Sequence, residues 1–409
     1  MLLYRQTLLN CSVENTDLLK KVLDRKNALG NELHTNSDYR ALTMARETND
    51  LEEIIKIGTH IRNNFEQLVV IGIGGSSLAT KTFLALKEET NVIVLENIDS
   101  HSVKQLFSEL NIDSTAFLAI SKSGKTIECI SQTLLLMHIV KSRLGAAAVA
   151  RHFFFLTEKK DNPLSQLAKE FSIDTIEHDS HIGGRFSYLS NVALIPACVA
   201  GLDVEGIRNA AADLLDKFFD RKEDSIVEIC AKQCELYKNN VFGSVTMSYI
   251  DRLENLSAWY GQLLAESLGK NGFGVVPIRT AGTVDQHSQL QLYMDGPKNL
   301  FFTFFVKTVD KNSIRIEETY IASLGYLKNK TLDELMDIES MSTMEVLNKR
   351  NLPIRLFKLD SVDERCLSQI MMQYMLEIIL IGHTNNINPF GQPAVEERKI
   401  LARKMLENL

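Results

Sequence analysis

What this 409-residue chain has little of narrows its function before any motif is read. It contains no run of about 18 apolar residues. Its start, MLLYRQTLLNCSVENTD, lacks a basic stretch followed by an unbroken apolar core, so neither export nor membrane spanning is expected, and a cytoplasmic location is. Basic residues are not in excess: 45 Lys and Arg face 52 Asp and Glu, for a formal charge of -7. A nucleic-acid binder would carry a net basic face to neutralise phosphates, whereas small anions need only local positive sites. The six cysteines (Cys11, Cys129, Cys198, Cys230, Cys234, Cys366) are scattered, and Cys230 with Cys234 has no matching CxxC or HxxxH pair. Reduced, buried thiols are therefore expected and, since no two of the nine His form a ligand pattern, no structural or catalytic metal. With 7 Pro, 21 Gly and no biased tract, the chain should be ordered nearly throughout.

What is present is an α/β rhythm. The length exceeds what one core usually supports, which favours two domains plus extra helix. Residues 1–50 read as a helical docking arm, with Leu18, Leu19, Val22 and Leu23 on one face and Thr16-Asp17 as a start signal. Short β-rich runs then alternate with helices: Leu68 to Ile73, Asn91 to Leu95, Ala116 to Ile120 and Phe153 to Thr157. That alternation predicts a parallel sheet covered by helices on both faces, a three-layer domain over 51–205. A helical connection (206–239) leads to a second such domain (240–385). Its strand candidates are Val241 to Tyr249, Gly274 to Ile278, Phe301 to Lys307 and Ile354 to Leu359, with helices at Arg252 to Leu268, Leu332 to Lys349 and Glu364 to Ile381. A terminal helix, Ala394 to Leu409, closes the chain within a last segment of 386–409. In such sheets ligands collect at the carboxyl ends of the strands.

Two turns at those ends imitate nucleotide loops and fail the test. Gly72-Ile73-Gly74-Gly75-Ser76-Ser77 has Ser77 where a dinucleotide fingerprint needs its third Gly. Ser121-Lys122-Ser123-Gly124-Lys125-Thr126 ends like a Walker A loop, but Ala119 occupies the position of the first Gly, so no nest can wrap a triphosphate. What survives in both is a helix N-terminus with hydroxyls and close-approaching backbone, suited to one phosphate monoester. Read as residues alone, the second turn is also a plain helix cap.

The candidates for chemistry lie elsewhere. QLLAESLGK brings Glu266, with Gln262 one turn earlier; GGRFS presents Arg185 after two glycines; and the run from Gly282 to Ser288 opens a helix with His287 at its start. Gln392 and Lys399 are spaced to share one side of the terminal helix. Taken singly, such residues are more often solvated surface or structural groups.

Together, VVIGIGGSSL, SKSGKTIE, GGRFS, ESLGK, DQHSQLQLYMDGP and NPFGQPAVEERK, in this order, resemble the phosphoglucose isomerase family from about residue 65 onward. The resemblance implies two sugar-isomerase (SIS) domains, a homodimer, and interconversion of glucose 6-phosphate and fructose 6-phosphate in glycolysis and gluconeogenesis, without metal or organic cofactor. It implies that Glu266 is the base that moves a proton between C2 and C1 through a cis-enediol. It further implies that His287 opens the ring from the neighbouring subunit, that Lys399 assists at the ring oxygen and that Arg185 steadies the enediolate. Gly75, Ser76, Ser121, Lys122, Ser123 and Thr126 then line phosphate and sugar, with Gln262 and Gln392 as positioning groups.

The chain departs from the family's pattern at Ser123 and Lys125 in the phosphate turn, and at Gly391, Ala394 and Arg398 near the end, which bears on how Lys399 is aimed. A non-catalytic SIS regulator would need the phosphate turns without Glu266, His287 and Lys399 together. An isomerase that also takes mannose 6-phosphate fits the same residue types. A glutamine-dependent amidotransferase does not fit, since position 2 is Leu2 rather than a cysteine nucleophile.

Overall fold

The computed structural model describes residues 2–220 and 225–408, so 221–224 of the helical connection and the last residue of the terminal segment lie outside the described residues. Ten strands are introduced in chain order: β1 (Tyr4–Leu9), β2 (Gln67–Ile71), β3 (Val92–Leu95), β4 (Thr115–Ile120), β5 (Phe153–Thr157), β6 (Asp174–Glu177), β7 (Gly243–Ser248), β8 (Val276–Ala281), β9 (Leu300–Lys307) and β10 (Ile354–Leu359). They form two five-stranded sheets, in the orders β3-β2-β4-β5-β6 and β1-β10-β9-β7-β8.

The first sheet is wholly parallel. β2 lies between β3 and β4 with Val69 opposite Ile93 and Phe117, and β4 and β5 are buried at every position. Strands buried on both faces cannot alternate polar and apolar residues, which is why these runs read as continuous hydrophobic stretches. In the second sheet β8, β7, β9 and β10 are parallel, while β1 runs antiparallel on the edge with Tyr4 opposite Leu359.

β1 corrects the expectation of an all-helical arm at the N-terminus. Only from Thr16 does the long helix Thr16–Glu32 begin, capped by the Asn15 side chain. β6 is a further addition to the expected strands: its burial pattern leaves a single inward residue, Ile176.

Between the sheets runs the helix Glu364–Thr384, buried along nearly its whole length, against which Glu254–Leu268 and Val204–Phe219 pack. Its interior carries a charged pair: Arg355 Nη1 donates to both Glu377 oxygens at 2.8 Å. The core around these helices includes Val70 and Leu118 from one sheet and Phe305 and Phe357 from the other. The two α/β units therefore share one central layer, and the Gly74–Ser76 turn that follows β2 meets the helix Glu254–Leu268.

Candidate active site

Glu266 sits in the last turn of Glu254–Leu268, whose apolar positions Trp259, Tyr260, Leu263, Leu264 and Leu268 are fully buried. Those anchors fix the helix rotation and leave Glu266 on its half-exposed flank. Its Oε1 accepts from Gln262 Nε2 at 3.0 Å, a pairing that i,i+4 spacing on one helix face provides. Its Oε2 accepts from Arg185 Nη1 at 3.2 Å. The carboxylate is 30% exposed, so a cation and an amide hold it while one side stays open.

Arg185, with 2% exposure, commits every donor it has. Nε donates to Ser267 Oγ at 2.7 Å, and Nη1 donates to Glu266 and to Gln392 Oε1, the latter at 2.8 Å. Nη2 donates to Pro389 O at 2.5 Å and Gly391 O at 3.1 Å. A guanidinium has five N–H groups, and all are taken. Burial lowers its proton affinity and Glu266 opposes that shift. Sequence reasoning points to neither Ser267 nor the 389–391 carbonyls as partners; Ser267 has a signal in its place beside Glu266, and the carbonyls have none.

Close backbone approach joins the first glycine turn to Arg185. A Cβ on Gly75 would lie 2.2 Å from the Gly184 carbonyl carbon, and Ser187 Oγ donates to the carbonyls of Gly184 (2.6 Å) and Gly75 (3.2 Å). Gly74 lies against Gln262, whose Oε1 is a buried acceptor with no hydrogen-bond partner among the described residues. A sugar hydroxyl donated there would satisfy it.

At the end of the adjacent β4, Ser121 Oγ and Thr126 Oγ1 are 3.0 Å apart. Thr126 precedes the helix Ile127–Leu144 without a side-chain cap bond, so the first N–H groups of a long helix are left for an anion. Gly124, at φ 62°, is pressed on by Asn162, the N-cap of Pro163–Phe171, an addition to the expected site although Asn-Pro is itself a helix-start signal. Ser123 is exposed, and its Oγ accepts from Lys125 N at 3.3 Å. Lys122 departs from the expectation of a ligand side chain: its Nζ donates to Ser180 O and Ile182 O at 2.8 and 2.9 Å and lies 3.7 Å from Glu158. Burial lowers its proton affinity, Glu158 opposing. It braces the turn from behind.

Three further expectations change. Gln392 is not on the terminal helix: it precedes the turn Pro393–Val395, and the helix Glu396–Glu407 starts later, so Gln392 and Lys399 do not share a helix side. Gln392 turns into Arg185, whereas Lys399 is half exposed and donates to Glu396 at 2.6 Å. His287 stands at the end, not the start, of the short helix Gly282–Gln286 and is exposed, and among the described residues no hydrogen bond ties it to Glu266 or Arg185. One chain thus brings together Glu266, Arg185, Gln262 and Gln392 and leaves His287 and Lys399 outside.

The six thiols are free and buried, and burial pushes Cys129 and Cys366 up to about 12. No cluster of ligating side chains occurs among the described residues. No helix among them is long and apolar enough to cross a membrane. A cleft of about 1110 Å³ lies against Glu158, Lys160, Glu177 and Asp179 at the edge of the first sheet, and Glu266 is not part of it.

Two parallel-sheet units, with anion-suited turns after adjacent strands and, beside them, a carboxylate held between a guanidinium and an amide, define a double SIS-type α/β protein. The chain belongs to the phosphoglucose isomerase family, whose model matches residues 36–409. It is 34% identical over 354 residues to a glucose-6-phosphate isomerase of Campylobacter jejuni, covering 84% of this chain and 86% of that one. It is 30% identical to a probable glucose-6-phosphate isomerase of Methanococcus maripaludis, over 84% and 79% of the two chains. Among solved structures, a hypothetical protein from Thermus thermophilus superposes with a TM-score of 0.87 at 26% identity, over 98% of this chain and 100% of that one. A glucose-6-phosphate isomerase from Chlamydia trachomatis shares the fold, with a TM-score of 0.76 at 18% identity over 90% of this chain and 78% of that one.

Proposed function

We propose that this chain interconverts D-glucose 6-phosphate and D-fructose 6-phosphate, a step of glycolysis and gluconeogenesis. The observation that carries the reading is Glu266, held open-sided between Arg185 and Gln262 beside the anion-suited turns. A phosphate monoester anchored by Ser121, Thr126, the amides of the helix start and the Gly75-Ser76 turn would leave its sugar end toward Glu266. Once the ring is open, Glu266 takes the C2 proton; the electron pair forms the C1–C2 double bond while the C1 carbonyl oxygen takes a proton from water. The resulting cis-enediol receives the carboxyl-held proton back at C1, and the C2 hydroxyl returns its own proton to water as it becomes the ketone. A carboxylate suits this task because it must accept and then donate one proton in one pocket.

Arg185 serves as a fixed cation next to developing negative charge. With its five donors already committed, it acts through its field and through Glu266, unless Gln392 or Glu266 exchanges for substrate. Gln262, with its unpaired acceptor, and Gln392 orient hydroxyls.

Ring opening would use His287 from a second copy, with Lys399 assisting at the ring oxygen. That reading is supported by the exposure of both residues and by a terminal helix with no buried residue among those described, along which Ile400, Leu401, Met405 and Leu406 are more than half exposed. Tyr320, at 90% exposure, adds to the apolar surface that a homodimer would cover. A cytoplasmic location fits this activity.

The test is a coupled assay on fructose 6-phosphate in EDTA, with mannose 6-phosphate for comparison. Glu266→Gln should keep sugar-phosphate binding and lose about 10²–10⁴-fold in turnover. Unchanged turnover would remove Glu266 from the mechanism. Comparable conversion of mannose 6-phosphate would widen the substrate range, and binding without any turnover by the unmodified protein would favour a regulator.

A further inference from the structure

The segment 388–391, which leads into the terminal helix, presents consecutive backbone carbonyls, and a cation meets each of them. Lys270 Nζ donates to Asn388 O at 2.6 Å and to Phe390 O at 2.8 Å. Arg185 Nη2 donates to the two that alternate with these, Pro389 O and Gly391 O. Each cation thus holds every second carbonyl. The segment's own donors are few: Pro389 has no N–H, and Phe390 N donates to Asn388 Oδ1 at 2.8 Å. Immediately after the gripped carbonyls comes Gln392, whose Oε1 is bonded to Arg185.

Lys270 is itself well fixed. It follows Glu266 just past the helix end, and its backbone N–H is shared between Leu268 O (2.8 Å) and Phe273 O (3.0 Å). Desolvation first, then Arg185, bring its ammonium down to about 8, with Glu266 opposing. Such an ammonium is held among carbonyls and a second cation by geometry rather than by an ion pair of its own. A hydrogen bond from a charged donor is worth roughly twice a neutral one, so two of them on so short a segment weigh heavily in where it lies.

We propose that Lys270 is a positioning residue for the isomerase centre: with Arg185 it forms a two-cation clamp on the 388–391 carbonyls. The clamp fixes Gln392 beside Glu266 and sets the direction in which the terminal helix departs. Lys270 touches no reacting atom. Loosening the loop would misplace Gln392 and free Arg185 to shift away from Glu266, while the phosphate turns, carried by the other domain, stay intact. The inference rests on the isomerase reading.

The experiment compares the unmodified protein, Lys270→Met and Lys270→Arg in steady-state kinetics on fructose 6-phosphate, together with amide hydrogen exchange at Phe390 and thermal midpoints. Lys270→Met should lose about tenfold in kcat with KM changed by no more than about twofold, because misplacement costs the chemical step rather than phosphate binding. Its Phe390 amide should exchange faster, and Lys270→Arg should recover most of kcat, since a guanidinium can reach the same carbonyls. Wild-type kcat in Lys270→Met, or a kcat loss that Lys270→Arg leaves uncorrected and that parallels a general fall in thermal midpoint, overturns the clamp. If the unmodified protein turns over neither hexose phosphate, the isomerase reading fails instead, and exchange at Phe390 still decides the clamp: an unchanged rate in Lys270→Met rejects it.

Discussion

Arg355 and Arg185 are both nearly inaccessible guanidinium groups, yet they do different work. Arg355 points into the layer between the sheets, stacked 5.1 Å over Tyr374, with its charge answered by Glu377 at 0% and 1% exposure. Gln373 Nε2 and Gln233 Nε2 also donate to Glu377. Removing the carboxylate leaves a cation with no counter-charge in a dry interior, so Glu377→Gln should destabilise the protein by about 3–5 kcal/mol in denaturant unfolding. The exposed pair Arg5–Asp360, 63% exposed on each side, sets the contrast: Asp360→Asn should cost about 0–1 kcal/mol. Similar losses from the two changes would mean that the interior pair is reached by water. No local pattern announces Arg355 as buried, because its partner Glu377 lies on a separate helix, 22 residues on. Arg185, by comparison, stands out behind its glycines, although the identity of its partners does not.

The glycine turns after β2 and before Arg185 act as one element although they are far apart in the chain. Their backbones touch at Gly75 and Gly184, and a Cβ at position 75 would meet the Gly184 backbone at 2.2–2.6 Å, where no flexible side chain can yield. Gly75→Ala should therefore displace Arg185 from Glu266 and the Ser76 turn from its place, lowering kcat/KM on fructose 6-phosphate by about 10²-fold. The accompanying change in thermal midpoint should be small, since the turn lies at a sheet end rather than in the core; a normal kcat/KM would show that the two turns move freely past one another. Legibility at this scale follows the range of the forces. β4, β5 and β9 are visible as apolar runs because burial on both faces leaves a local mark. β1 is hidden because its partner β10 lies at the far end of the sequence, and β6 because an edge strand with one inward residue has almost no pattern. Spacing alone places Gln392 on the terminal helix, whereas Pro393 and the pull of Arg185 delay the helix to Glu396.

The proposed division of the site between one chain's Glu266 and the exposed His287 of a second copy makes a prediction only the whole molecule can answer. If two copies pair about a two-fold axis, each site takes Glu266 from one chain and His287 from the other. Glu266→Gln and His287→Ala homodimers are then both impaired at each site. Mixed by unfolding and refolding together, equal amounts give heterodimers as about half of the population. In each heterodimer one site combines both altered residues, and the other combines both native ones. Activity should return to about one quarter of that of the unmodified protein, since half of the dimers have one of their two sites intact. Were His287 to act on the Glu266 of its own chain, every site in the mixture would carry one altered residue, and refolding together would recover nothing. The measurement needs only the isomerase assay on the two parents and the mixture, with a size determination to show that dimers have formed. An increase on mixing would place His287 at the interface between the two copies.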